Sequence, residues 1–441
     1  MKRLAAILAA LLVLAPIAGA GELPAPVTDA DYLSVNMDEA RLGQLLFYDP
    51  ILSGNRNISC ATCHHPRFAT SDGLSLGIGE GGIGLGPARR PDPANLPEQR
   101  IPRNSTALFN LGAREFTRLF HDGRIEADAA RPGGIRTPLD EDMTLGFSGV
   151  LAAQTMFPVL SQDEMAGHYG ENDVSKLVRQ GRITGPGGAW ERIAGRVAAI
   201  PAYREMFAAA MPETAARGIA FTDIANAIAA FIAFEWRSDD SPFDAFLRGE
   251  GELAPAARRG MELFYGEAGC ARCHSGKFQT DHEFHAMGVP QIGPGKAARF
   301  ETHARDEGRL RVTGRPEDAY AFRTPSLRNA TRTGPYGHDG AYRDLRAFLK
   351  AHLDPANAPA RYDRAQAVLP ELPGAQDWRA LDDPAELARI SAAASRQPAV
   401  RLSPAAVDDL LAFLAALEDP VVLGGRLGIP AGVPSGLPVE R

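Results

Sequence analysis

C-A-T-C-H at residues 60–64 and C-A-R-C-H at residues 270–274 use all four cysteines of the chain. Each has the spacing for covalent c-type haem attachment. Two thiols form thioethers to the porphyrin, and the histidine that follows at once offers its imidazole to the iron. Cys60, Cys63 and His64 therefore make one candidate haem site, and Cys270, Cys273 and His274 a second. A pair of disulfides or an all-cysteine zinc site would also use the thiols, but neither gives a reason for a histidine directly after both pairs. The motifs imply two covalently bound haem c groups, one in each half of a 441-residue chain.

The N-terminus fits export. Lys2 and Arg3 precede an apolar run over residues 4–17 and A-G-A at 18–20, the pattern of a cleaved signal peptide. Haem of this type is attached after export, so a periplasmic location is expected. The apolar run is short for a membrane span, and no second run of about 20 residues follows, so no span is expected once the signal is removed. A net charge of −7 argues against nucleic acid as a partner and leaves a mildly acidic surface suited to a basic electron-donor protein.

Between proline- and glycine-rich stretches at 77–102 and 424–438 the pattern is helical. Residues 221–236 place Ile224, Ile228, Phe231 and Ile232 at helical spacing, with Thr222 or Asp223 as cap. Residues 253–265 read as a helix leading into the second haem motif, with Pro255 in its first turn. Ser403-Pro404 opens a last helix through Leu417, with Val407, Leu410, Leu411 and Leu414 on one face. There is no sustained two-residue alternation. The expected fold is mostly α: a signal peptide (1–20), an N-terminal haem domain (21–245), a C-terminal haem domain (246–420) and a Pro/Gly-rich tail (421–441).

Further motifs carry a resemblance. L-G-Q-L-L-F-Y-D-P at 42–50, F-H-D-G-R at 120–124, S-P-F-D at 241–244, F-H-A-M-G-V-P at 284–290, F-R-T-P-S-L-R-N at 322–329 and G-P-Y-G-H-D-G at 334–340 occur in the order found in bacterial dihaem cytochrome c peroxidases and the related MauG enzymes. The chain resembles that family over most of its length. The resemblance implies two cytochrome c-like haem domains joined at a calcium-containing junction, with peroxide reacting at the N-terminal haem and the C-terminal haem passing or storing electrons.

It also implies roles for particular residues. The sixth ligand of the C-terminal haem would come from the helix after P-Y-G-H-D-G, where counting from Pro335 reaches His352; Met287 and His282 are the alternatives. On the distal side of the N-terminal haem the family's proline and glutamate fall on Pro158 and Glu164, the carboxyl being the acid–base group. Peroxidases that need reductive activation have a removable histidine in the loop after the first motif. Here Glu80 occupies that position, so an open site is expected; His65, next to the proximal histidine, does not reach the opposite face. Between the haems the family commonly has tryptophan where this chain has His121, and an imidazole is harder to oxidise than an indole. A Ca²⁺ site would take the Asn104 side chain and the backbone carbonyls of Thr333 and Pro335.

The expected function is that of a cytochrome c peroxidase-type oxidoreductase reducing hydrogen peroxide to water, with electrons from a small c-type cytochrome or cupredoxin. One rival is a MauG-like enzyme that oxidatively modifies a partner protein substrate. Another is a non-catalytic carrier with two closed haems, which would require a sixth ligand for the His64 iron.

Overall fold

The computed structural model describes residues 22–143, 145–297 and 301–441; the signal-peptide reading of residues 1–20 lies outside them. Five helices organise the fold: α1 (Met37–Tyr48), α2 (Phe221–Glu235), α3 (Pro255–Tyr265), α4 (Leu345–Leu353) and α5 (Pro404–Ala415). Among the described residues, strands are only two or three residues long and form one three-stranded and two two-stranded sheets. That matches the lack of alternation in the sequence.

Each half is built on one close helix pair crossing at a glycine. α1 lies on α2 so tightly that a Cβ on Gly43 would sit 1.8 Å from the Ala227 carbonyl oxygen and 2.9 Å from the Phe231 Cβ. α3 lies on α5 in the same way, with a Cβ on Gly260 falling 1.8 Å from the Asp409 carbonyl oxygen and 2.9 Å from the Phe413 Cβ. Aromatic rings fill the space beside each crossing. Phe47, Phe231 and Trp236 have centroids 5.1–5.3 Å apart, and Phe413 stands 5.1 Å from both Phe243 and Phe264. The helix preceding each haem motif is thus fixed against a partner helix from the far end of its half.

Gly43→Ala is expected to cost about 1–3 kcal/mol or more, because the clash is with backbone and cannot be relieved by a rotamer change. Gly195 is the control. It lies inside the helix Ala189–Ala198 with nothing within 4 Å of an added Cβ, so Gly195→Ala should stabilise by about 0.5–1 kcal/mol. Urea unfolding of the haem-loaded protein separates the two; equal effects would show that the α1–α2 contact is not as close as described.

Helix starts follow their caps with one difference. Ser403 caps α5 by accepting from the Ala406 N–H at 3.1 Å, with Pro404 in the first position, and Pro255 begins α3. For α2 the N-cap is Ala220, not Thr222 or Asp223. Asp223 works from the third helical position, its carboxylate accepting from the Ala220 N–H at 2.8 Å.

The segment 421–441, read from composition as a tail, packs across the N-terminal half instead. Val422 and Val433 are buried in the first core. The Glu235 carboxylate accepts from the N–H groups of Leu427 (2.6 Å) and Gly428 (2.8 Å), Gln44 donates to the Gly428 carbonyl at 2.8 Å, and Ser435 donates to Asp49 at 2.7 Å. Buried ion pairs hold the two halves together. Arg103 grips Asp306 with two bonds of 2.6 and 2.8 Å while also reaching Asp122 at 2.7 Å, and Arg309 reaches Glu126 at 3.0 Å. Their value lies in fixing orientation, since breaking such a pair leaves an uncompensated buried charge.

Candidate active site

Cys60–Cys63 form a single helical turn, closed at its start by Thr62, whose hydroxyl accepts from the Ser59 N–H at 3.1 Å. The turn delivers His64 with its ring orientation set. Nδ1 faces the Thr70 carbonyl at 3.0 Å and the Ser105 hydroxyl at 3.2 Å, and that hydroxyl itself donates to the Cys63 carbonyl at 2.7 Å. A proton on Nδ1, given to Thr70, leaves the Nε2 lone pair for a metal. In the second motif the His274 Nδ1 faces the Gln279 carbonyl at 3.1 Å in the same manner. Burial lowers the pKa of both histidines and so favours the neutral, ligating form. The four cysteines form no disulfide.

Two cavities adjoin these motifs. The first, about 1260 Å³, is bordered by Cys60, Cys63 and His64 and by Pro158 and Glu164. The second, about 380 Å³, is bordered by Cys270, Cys273, His274 and His352. Asn104, Thr106, Leu111 and His121 border both, so the partition between them is thin. The first cavity, more than three times the second, has space for a reactant beside a macrocycle.

Two cationic groups test whether haem fits. Arg323 borders the second cavity, half-buried, donating only to the carbonyls of Phe120 (3.4 Å) and Thr324 (3.1 Å), and among the described residues no carboxylate pairs with it. Burial alone pushes its pKa down to about 10. Arg100 borders the first cavity and binds Asp377 through two bonds of 2.8 and 3.0 Å, yet its Nη1 is buried with no partner. Unsatisfied buried guanidinium groups are costly. The carboxylate arms of haem are the complement such positions require, so the residues present fit the group at both sites.

The expected distal residues come together. Pro158 opens a short turn, Pro158–Leu160, and Glu164 sits in the next, Gln162–Ala166. Burial raises the Glu164 pKa against the pull of Lys296 and Arg124, which places a carboxyl able to hold a proton in the cavity. Glu80 is not among the residues bordering it. Its carboxylate accepts from Asn55 (3.0 Å) and Asn57 (2.8 Å), and only its N–H, bonded to the Asp163 carbonyl at 3.1 Å, touches the distal segment. Glu80, named from sequence as a candidate catalytic group, is buried, with one carboxylate oxygen held by the two amides and the other buried without a partner.

His352 lies near the end of α4, its Nδ1 3.3 Å from the Phe348 carbonyl and its ring edge-on to Phe348 at 4.4 Å. Burial and the nearby His274 push its pKa down to about 4, so it too is neutral. Met287 borders the same cavity; His282 does not, and is engaged by Glu115 at 3.0 Å. His121 faces the Asn104 carbonyl through Nε2 at 3.2 Å, and burial next to Arg103 pushes its pKa down to about 4, making it an uncharged bridge between the cavities. Asn104 donates to the carbonyls of Leu74 (2.8 Å) and Ser75 (3.3 Å) through Nδ2, and it borders the second cavity together with Thr333 and Pro335.

Several contributors had no assigned role from sequence. Thr70, Ser105 and Gln279 set the histidine rings, Arg323 sits inside a quoted motif, and Lys296 reaches the first cavity from the other half of the chain. The motif F-R-T-P-S-L-R-N carried a usable signal for Arg323, since a cation next to Phe and Thr-Pro is poorly explained as a surface residue; Lys296 carried none.

Comparisons with known proteins agree with this geometry. The family model described as di-haem cytochrome c peroxidase matches residues 37–252. The methylamine utilization protein MauG of Paracoccus denitrificans is 30% identical over 443 residues, covering 95% of this chain and 96% of that protein. The cytochrome c551 peroxidase of Pseudomonas aeruginosa is 27% identical over 361 residues, covering 80% and 84%. Among solved structures, a MauG-like protein associated with microbial copper homeostasis aligns with a TM-score of 0.56 and 27% identity, covering 91% of this chain and 94% of that one.

Proposed function

Because the chain belongs to the family of di-haem cytochrome c peroxidases and MauG proteins, which implies two c-type haems and peroxidase-type oxidoreductase chemistry, we propose that it is a periplasmic enzyme reducing hydrogen peroxide to water at the His64 haem. Electrons would enter from a small c-type cytochrome or cupredoxin through the His274 haem. The observation that carries this reading is Glu164, its pKa raised by burial, in a roomy cavity shared with His64, against a small second cavity bordered by both His274 and His352. No helix among the described residues is long and apolar enough to cross a membrane.

When bound, haem supplies an iron centre that takes the two oxidising equivalents of peroxide. The protein moves the protons. Glu164 as carboxylate takes one from the nearer oxygen of hydrogen peroxide and as acid gives it to the departing oxygen, so that the O–O bond breaks with water as leaving group. With two electrons and two protons supplied from outside, one peroxide yields two waters. Pro158, on the wall of the same cavity, shapes it. His274 and His352, which border the second cavity, would both hold the second haem, which would suit that site to electron transfer. Neutral His121, bordering both cavities, provides a short polar path between them without adding charge. The oxygens of Asn104, Thr333 and Pro335, a hard donor set, would hold Ca²⁺ at the junction; among the described residues none of these three oxygens accepts a hydrogen bond.

The test is the spin state of the oxidised protein as isolated. One high-spin and one low-spin haem in the electron paramagnetic resonance spectrum are expected without prior reduction, since Glu80 stands where activation-dependent enzymes carry a histidine and its carboxylate is bonded to Asn55 and Asn57. Two low-spin signals unchanged by cyanide would sink the reading and favour the electron carrier. The MauG-like alternative, oxidation of a partner protein, is favoured by the near-full-length match to a MauG protein. Sustained peroxide turnover with a reduced cytochrome c separates the two.

A further inference from the structure

The first cavity contains a cation that the proposed proton transfer has not used. Lys296 belongs to the second half of the chain, in a loop whose backbone is set by Gly293, bonded to the Asp377 carbonyl at 2.8 Å, and by Gly295. At Gly295, φ is +69° and a Cβ would meet the Ala304 backbone at 2.3 Å. The Lys296 N–H donates to the Arg305 carbonyl at 2.9 Å, which holds the residue on the wall shared with Glu164, Pro158 and Arg124. Among the described residues its ammonium makes no hydrogen bond and no ion pair, whereas Arg124 is tied to Asp122 at 3.1 Å and Arg103 to Asp122 and Asp306.

We propose that Lys296 is a positioning residue for the proton transfer at the His64 haem, its ammonium acting across the cavity on the Glu164 carboxyl to keep a usable fraction ionised. This rests on the peroxidase reading of the same site. The charges facing Glu164 are Lys296 and Arg124, which favour its ionised form, and Asp163, which opposes it; the nearby Ser161 side chain also favours the ionised form. Those facing Lys296 are Arg124 and Arg103, which disfavour its charge, and Glu164 and Asp122, which favour it. Burial raises the carboxyl's pKa and pushes that of the amine down to about 8. Each group therefore favours the charged form of the other across the cavity. The carboxyl must be ionised to receive the first peroxide proton, and an unpaired cation from the opposite domain supplies the field that allows it. The same link makes proton transfer depend on how the two halves are seated.

The experiment uses the full, haem-loaded protein with Lys296→Met, Lys296→Gln and Lys296→Arg. The Glu164 carboxyl is titrated by infrared difference spectroscopy, its band identified by its absence in Glu164→Gln. The neutral variants should raise its midpoint by about one pH unit, equivalent to about a tenfold loss of carboxylate on the acid side, and move the acid limb of the peroxide rate by the same amount, with Lys296→Arg restoring both. An unmoved midpoint, or failure of arginine to restore it, overturns the proposal. So does a changed potential of the His64 haem with an unmoved midpoint, which would assign the ammonium to a haem carboxylate, and so does loss of haem in both neutral variants, which would make the amine structural. The infrared midpoint needs no peroxide, so a wild-type protein inert to peroxide counts against the peroxidase reading alone.

Discussion

Glu164→Gln is expected to slow peroxide-dependent oxidation of the protein by about 10²-fold or more, the usual scale for removing a positioned acid–base group, while both haems stay attached. The amide keeps the volume and planarity of the side chain and removes only its titrating proton. The segment that carries it should survive, because the turn Gln162–Ala166 is held by backbone bonds from residues 164, 165 and 166 to the Ser161 carbonyl at 2.9–3.2 Å. Stopped-flow absorbance with haem content measured on the same sample checks the expectation. Wild-type kinetics would move the acid–base role to another group. Glu80 does not border the cavity, and one of its carboxylate oxygens is taken by Asn55 and Asn57. Asp163 is the next candidate: it borders the cavity, and burial raises its pKa as well, with Gln99 bonded to it at 2.8 Å.

How much of this was legible in the sequence depends on the range of each interaction. Haem attachment was legible because its three protein atoms lie within five residues, and the helices because apolar spacing is local. The cap of α2 was misplaced by a short distance, as an aspartate can cap from the third position of a helix as well as from its start. Glu80 was read from register along its loop, and register says nothing about side-chain partners, which are Asn55 and Asn57. The segment 421–441 looked like low-complexity tail because its stabilising partners are Glu235, Gln44 and Asp49, nearly two hundred or more residues away. Lys296 and Glu164 border one cavity from opposite halves of the chain, with no pattern near either residue to announce it. The haem motifs are thus legible as local patterns, whereas the electrostatics around them are assembled by the tertiary fold.

His352→Ala is expected to convert the C-terminal haem from low-spin to high-spin with both haems retained, because Cys270 and Cys273 hold the porphyrin independently of the sixth ligand. The geometry prepares His352 for that role. Its Nδ1 is turned to the Phe348 carbonyl at 3.3 Å, its ring is braced by Phe348, and it borders the cavity of His274. Burial keeps the imidazole neutral at physiological pH, so no proton has to leave before it can bind a metal. An alanine leaves the position open to solvent and weakens the ligand field. It should also slow electron delivery to the His64 haem, since a site that changes ligation on reduction must reorganise. His352→Met provides the complementary result: a low-spin haem at a raised potential, as a thioether favours the reduced iron relative to a second imidazole. If His352→Ala stays low-spin, the ligand is elsewhere on the cavity wall. Met287 is then the residue to change, because His282 is held by Glu115 and does not border the cavity.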